Sequence, residues 1–176
     1  MILANFQTPV RLALALFLAA MLSACSLFSS ESKREETVQL DISIQAVTNL
    51  NPDIKSRPSP MIVRIYELKS DSTFIQADFF SLQNNDRATL TEDLLARDEF
   101  IVHPGDRRAT IRRKAHPQIG AIGVLAAFRD ISHSVWRATF RFPPPSDTAW
   151  YEKILSSSTI HLRVLLEDNT VRILDD

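Results

Sequence analysis

Apolar and polar positions follow three rhythms along this chain, and each predicts a different kind of element. Residues 12–22 are continuously apolar, well short of the ~20 residues a bilayer span needs and about the length of an export-signal core. From residue 37 to 46 the period is two. Val38, Leu40, Ile42, Ile44 and Ala46 share one face, and Gln39, Asp41, Ser43 and Gln45 share the other, which predicts a half-buried strand. Further strands are predicted at 61–68, 99–103, 108–114, 135–142, 160–166 and 170–174. Residues 119–128 are apolar on both faces, so that strand is expected to be central and covered on two sides. Between 71 and 97 the period lengthens. Ile75, Phe79 and Leu82 are spaced by four and three, with Phe74 and Ala77 beside them, which predicts an amphipathic helix. Thr89 and Glu92 precede Leu94-Leu95 in a capping-box pattern, which predicts a second helix.

The pattern lapses between these segments. Residues 29–36 are polar and of mixed charge, and read as a tether. Residues 47–60 hold Pro52, Pro58, Pro60, Asn49 and Asn51 and read as a loop, long enough to suggest function. Pro104-Gly105-Asp106 and Asp168-Asn169 read as turns, and residues 143–158, with Pro143-Pro144-Pro145, Trp150 and Tyr151, as another loop. The expected fold class is mainly β: a two-sheet antiparallel β-sandwich with a short helical insertion at about 73–97. The expected organisation is a leader at 1–24, an anchor and tether at 25–36, and one sandwich domain at 37–176.

Composition narrows the function. The chain is 45% hydrophobic, enough for a core, and its net charge of −1 gives no reason to expect nucleic acid. Three glycines in 176 residues argue against a phosphate-cradling loop. His103, His116, His133 and His161 show no metal-ligand spacing, so no metal is expected. Ser156-Ser157-Ser158 lacks the glycines of a nucleophile elbow, and the carboxylates are scattered, so no catalytic residue is named and no small-molecule substrate or dissociable cofactor is expected. The basic run at 107–114 reads either as a surface for an acidic partner or lipopolysaccharide, or as an edge strand defended by charge; the second is preferred.

The one cysteine, Cys25, follows Leu22-Ser23-Ala24. That stretch resembles the bacterial lipobox, which implies that Cys25 begins the mature chain and carries covalent lipid. Each buried methylene contributes about 0.8 kcal/mol, so two or more acyl chains anchor durably. Ser26, where an aspartate would favour inner-membrane retention, implies the outer membrane with the domain facing the periplasm.

Residues 57–68, Arg-Pro-Ser-Pro-Met-Ile-Val-Arg-Ile-Tyr-Glu-Leu, together with Asn51-Pro52, residues 74–82, Asp93-Leu94-Leu95 and Pro104-Gly105, resemble the TssJ family, the outer-membrane lipoprotein of the bacterial type VI secretion system. The resemblance implies a transthyretin-like sandwich and no enzymatic activity. It also implies binding to the periplasmic C-terminal region of the inner-membrane component TssM through the loop between the first two strands. In this chain that loop is 47–60, with Asn49, Asn51, Asp53, Lys55 and Arg57 as exposed candidates. Two alternatives stand beside it: a pilotin-like envelope lipoprotein, and a small-ligand or hydrolase domain built around His103, His133 or His161.

Overall fold

The computed structural model describes residues 39–142 and 159–175. The leader, Cys25, the tether and the 143–158 segment with Trp150 and Tyr151 lie outside the described residues.

Among the described residues, eight strands form two four-stranded sheets. They are β1 (Gln39–Ala46), β2 (Met61–Leu68), β3 (Leu94–Val102), β4 (Arg107–Lys114), β5 (Ala121–Ala126), β6 (Arg137–Arg141), β7 (Thr159–Leu166) and β8 (Val171–Asp175). One sheet has the order β4-β1-β7-β8 and the other β3-β2-β5-β6. The expectation of an antiparallel sandwich needs one correction. β1 and β7 pair in parallel, from Gln39 opposite Thr159 to Ala46 opposite Leu166, while the other strand pairs are antiparallel. Alternation along each strand says which face is buried and nothing about the direction of its neighbour, so this pairing was not visible in the pattern.

The alternation does fix the core. Leu40, Ile42 and Ile44 of β1 and Leu162, Val164 and Leu166 of β7 meet Val63 and Ile65 of β2 and Ile122, Val124 and Ala126 of β5 between the sheets. β5 is buried at all six positions because its second face is covered as well. Two helices, α1 (Ser72–Gln76) and α2 (Phe79–Leu90), lie over the outer side of that sheet. Phe74, Phe79, Leu82 and Leu90 pack there against Tyr66, Leu68, Ala121 and Leu125 in a second cluster. The approach is close: a Cβ on Gly123 would stand 3.0 Å from Leu68 Cδ1 and 3.1 Å from Phe74 Cε1.

The helical insertion differs from its expected form. The stripe divides into two helices at Ala77-Asp78, where the Asp78 carboxylate accepts from the Ser81 amide at 3.0 Å and caps α2. No second helix starts at Thr89. Thr89 sits in the last turn of α2, with its hydroxyl donating to Asn85 O at 2.9 Å. Glu92 lies in a short 3-10 turn, Thr91–Asp93, and Leu94 opens β3 opposite Leu68. The Leu94-Leu95 pair fits a helix or a strand equally well, and pairing along β2 decides between them.

A charged network fastens α2 to the sheet. Asp86, 5% exposed, accepts from Arg97 NH1 at 2.7 Å and from the Tyr66 hydroxyl at 3.2 Å. Arg64 NH1 donates to the Leu82 and Gln83 carbonyls, while its Nε donates to Glu99. Burial pushes the Tyr66 hydroxyl up to about 12, so it stays protonated as a donor. A second network joins the sheets: buried Glu67 of β2 accepts from Arg113 Nε of β4 at 2.6 Å and from the His116 amide at 3.1 Å. The basic strand β4 is therefore an edge strand, with Arg113 committed to Glu67 and Asp98 and Arg112 to Asp41.

Strand direction gives the sandwich two distinct ends. β1 and β7 finish where β2, β4, β6 and β8 begin. Loop 47–60, turn 103–106, segment 127–136 and turn 167–170 therefore gather at one end, and Gln39, where the chain enters the sandwich, lies at the other. β1 separates them by about 25 Å at ~3.3 Å per residue.

Candidate partner-binding loop

Loop 47–60 is built in two storeys. The lower one is tied to the sandwich. Val47 N donates to Leu166 O at 3.0 Å and Gly105 N donates to Val47 O at 3.0 Å, with Gly105 at φ 80, a value glycine adopts without penalty. Leu50 is fully buried in the core. Asn51, at φ 49, is the main fastening: its amide donates to Asp168 O at 2.9 Å, its Oδ1 accepts the Arg129 amide at 2.8 Å, and its Nδ2 donates to Pro60 O at 3.4 Å. Asn49 Nδ2 donates to Asp168 Oδ2 at 3.1 Å. Ser59 N closes the stalk on Leu50 O at 3.0 Å, and Arg129 NH2 donates to Ser59 Oγ at 3.0 Å.

The upper storey, residues 53–57, is braced from within. Asp53 Oδ1 accepts the Lys55 amide at 2.8 Å and the Arg57 amide at 3.0 Å, and Asp53 Oδ2 accepts Arg57 Nε at 2.7 Å. The backbone closes the turn twice, Asp53 N to Arg57 O at 3.0 Å and Ser56 N to Asp53 O at 2.8 Å, with Ser56 at φ 58. The Arg57 side chain and then its amide hold the Asp53 carboxyl below its ordinary value. Asp53 is charged throughout the neutral range, and the brace is intact there.

The structure divides the five predicted residues. Asn51 is 6% exposed, so its place among the exposed candidates is corrected: it is an internal fastening, because its side chain satisfies the Pro60 carbonyl at the loop's far end and the Arg129 amide of another segment. Asn49 and Asp53 are half-buried and hold the loop's shape. Lys55 and Arg57 are exposed. Sequence reasoning passed over Ile54, which is fully exposed at 101%. Its signal was present: one large apolar residue between Asp53 and Lys55, outside any strand or helix period.

The histidines sit on separate elements with separate partners. Nδ1 of His133 lies 2.9 Å from Asp130, that of His103 3.6 Å from Asp106, and that of His161 3.6 Å from Asp41. Among the described residues no group of three or more His, Cys, Asp or Glu could hold a metal ion. No helix among them is long and apolar enough to cross a membrane.

A braced loop projecting from one end of a two-layer sandwich defines a scaffold that presents a surface. A family model described as type VI secretion lipoprotein (VasD, EvfM, TssJ) matches residues 38–169, and this chain belongs to that family. It is a family of structural secretion components rather than enzymes. The chain is similar to the type VI secretion lipoprotein TssJ1 of Pseudomonas aeruginosa, with 32% identity over 80% of this chain and 97% of that one and a TM-score of 0.68. It is also similar to Serratia marcescens Lip, a membrane-bound component of the type VI secretion system, with 26% identity over 77% and 96% and a TM-score of 0.70. A chain in a type VI membrane complex shares the fold at 24% identity, over 78% and 98%, with a TM-score of 0.62. No curated protein matches the chain.

Proposed function

We propose that this protein is the outer-membrane lipoprotein of a type VI secretion membrane complex. Lipid on Cys25 holds it to the inner leaflet of the outer membrane, and loop 47–60 binds the periplasmic C-terminal region of a TssM-type inner-membrane component. The observation that carries this reading is the position of the loop. It is the braced projection at the end of the sandwich away from Gln39, where the chain arrives from residues 25–36. A loop that keeps its shape while exposing Ile54, Lys55 and Arg57 offers a preset surface to a partner rooted in the opposite membrane. The occurrence of the fold in a type VI membrane complex supports the assembly role.

Binding of the full chain in detergent to the periplasmic C-terminal segment of TssM from the same source tests the reading. We expect binding that disappears when residues 53–57 are replaced by a Gly-Ser linker, which spares Asn51, with the melting transition still cooperative. A replaced loop that leaves affinity unchanged would move the interface elsewhere. Cys25→Ser should abolish acylation and remove the protein from outer-membrane fractions; acylated mutant protein in that fraction would contradict the anchor.

A further inference from the structure

A large aliphatic side chain held in water contributes nothing to folding, and loop tips ordinarily carry small or polar residues. Ile54 departs from this with 101% exposure. Phe80, exposed at 66%, is a different case, because its ring stands edge-on to that of Phe79 at 5.3 Å, whereas no ring contact or cluster holds Ile54. Ile54 is not left in solvent by slackness of the chain. The residue before it accepts three hydrogen bonds from the two residues that close the turn, and Ser56 takes a left-handed conformation to complete it. The backbone that displays Ile54 is thus set before any partner arrives, which lowers the ordering cost of binding.

Within residues 53–57 the two cations outnumber the one carboxylate. Lys55 and Arg57 are exposed, the Arg57 side chain at 73%, and the carboxylate within residues 53–57, Asp53, is already paired with Arg57. Arg129, bonded to Ser59 at the base of the loop, adds a further cation and acts on Asp53 electrostatically. An apolar side chain beside a net positive excess matches an apolar cleft rimmed by carboxylates. That is the usual anatomy of an interface anchor, with one desolvated residue at the centre and charges at the rim. A lipid surface fits less well. One side chain with two or three cations binds a bilayer weakly, and the loop projects from the end of the sandwich away from Gln39.

We infer that Ile54 is the anchor of the loop: it enters an apolar cleft on a folded protein partner whose rim carries acidic side chains opposite Lys55 and Arg57. This rests on the proposed function and specifies the chemistry that the loop recognises.

The test is calorimetric titration of the full chain, carried in neutral-lipid nanodiscs, with the periplasmic C-terminal segment of TssM. Wild type should bind, and Ile54→Ser should bind about ten- to hundredfold more weakly, as expected for losing one buried aliphatic side chain. Ile54→Leu should stay within about threefold of wild type, because size and polarity are kept. In stopped-flow mixing of the same partners, Lys55→Glu should slow association roughly tenfold at low salt, with the effect shrinking as salt rises. If Ile54→Ser binds like wild type while replacement of residues 53–57 abolishes binding, the loop remains the interface and the anchor assignment is overturned. If wild type does not bind, the proposed function fails and this inference fails with it. If Lys55→Glu associates as fast as wild type, the acidic rim is wrong. Binding of the same nanodiscs to phosphatidylglycerol vesicles that depends on Ile54, without binding to the TssM segment, would overturn the inference in favour of a membrane contact.

Discussion

Two insertions flank β2, and they are held in opposite ways. The one after it, residues 69–93, lies down on the sheet and gives up most of its apolar side chains: Phe74, Leu82 and Leu90 are fully buried while Phe80 stays exposed, and the polar groups beneath, Asp86 and Arg64, are tied to β2, β3 and α2. The one before it, residues 47–60, buries Leu50 and then closes on itself through Asn51 and Asp53, leaving its remaining large aliphatic side chain in water. Burial fixes the first, and hydrogen bonds fix the second. An insertion whose hydrophobes are covered is part of the scaffold. One that keeps its shape without covering its hydrophobe still has that surface to offer. The sharpest way to break this contrast is to injure each insertion and ask whether stability or binding suffers.

The largest effect on stability should come from the helical side. Phe74 is fully buried against Tyr66, 5.4 Å between ring centroids, and against Gly123. Phe74→Ala should cost about 3–5 kcal/mol in urea denaturation, because the cavity lies in a cluster closed on every side. Affinity for the TssM segment should be unchanged at temperatures where the variant is folded. Reduced affinity would mean that the two insertions are coupled.

Asp86 comes next. Its side chain is 6% exposed and faces both Arg97 and Arg64, so Asp86→Ala leaves the Tyr66 hydroxyl and the partly exposed Arg97 without their acceptor and Arg64 with Glu99 alone, at about 1–3 kcal/mol. Burial alone would raise its pKa; the Arg97 hydrogen bond and charge, then the Arg64 charge, more than offset this and hold it below 3.8. Because the folded value is the depressed one, the stability Asp86 lends is complete above the ordinary carboxylate range. It is lost as the pH falls below 3.8 and through the lowered folded value. The stability gap between wild type and Asp86→Asn should therefore be widest near neutrality and narrow on acidification. A gap independent of pH would show that the carboxylate's charge is not what matters.

How far the sequence foretold all this depends on which force shaped each part. Strand faces were legible because burial imprints period two on every strand: Leu40, Ile42 and Ile44 turned inward as read, and the two-faced segment around Val124 became β5 under the helices. The charged edge strand was legible for the same kind of reason, since unpaired edges attract charge. Local signals competing with long-range pairing were not. Thr89 and Glu92 offered a cap, but Leu94 had β2 to pair with, and strand pairing prevailed. The loop was legible as a loop and as a candidate interface, yet its residues were sorted by polarity rather than by hydrogen-bond demand. Asn51 looks like a surface residue until the amide of Arg129, 78 positions away, needs an acceptor. Ile54 falls outside a candidate set made of polar and charged residues alone.

A smaller effect is expected at the helix-sheet contact. Gly123→Ala would force a methyl to 3.0 Å from Leu68 Cδ1 and 3.2 Å from Phe74 Cζ, and should cost about 1–3 kcal/mol as the Phe74 ring shifts. Combining it with Phe74→Leu should recover part of the loss. Strict additivity would show that the strain is not at this contact.

The smallest effect on stability should come from the loop, where the comparison is most exposed to failure. Asp53→Ala removes the acceptor for the Lys55 and Arg57 amides and for the Arg57 side chain, all at the surface. Nothing in the core depends on that turn, since Leu50 and Asn51 below it keep their own ties. The melting midpoint should barely move, while hydrogen exchange at the Lys55 and Arg57 amides accelerates. Affinity for the TssM segment should fall, with a larger entropic penalty in calorimetry, because an unbraced tip must be ordered on binding. If the exchange rates rise and affinity does not change, rigidity is incidental to binding and the loop works by side-chain chemistry alone. If the midpoint drops as far as in Phe74→Ala, the loop is scaffold after all, and the distinction between the two insertions disappears.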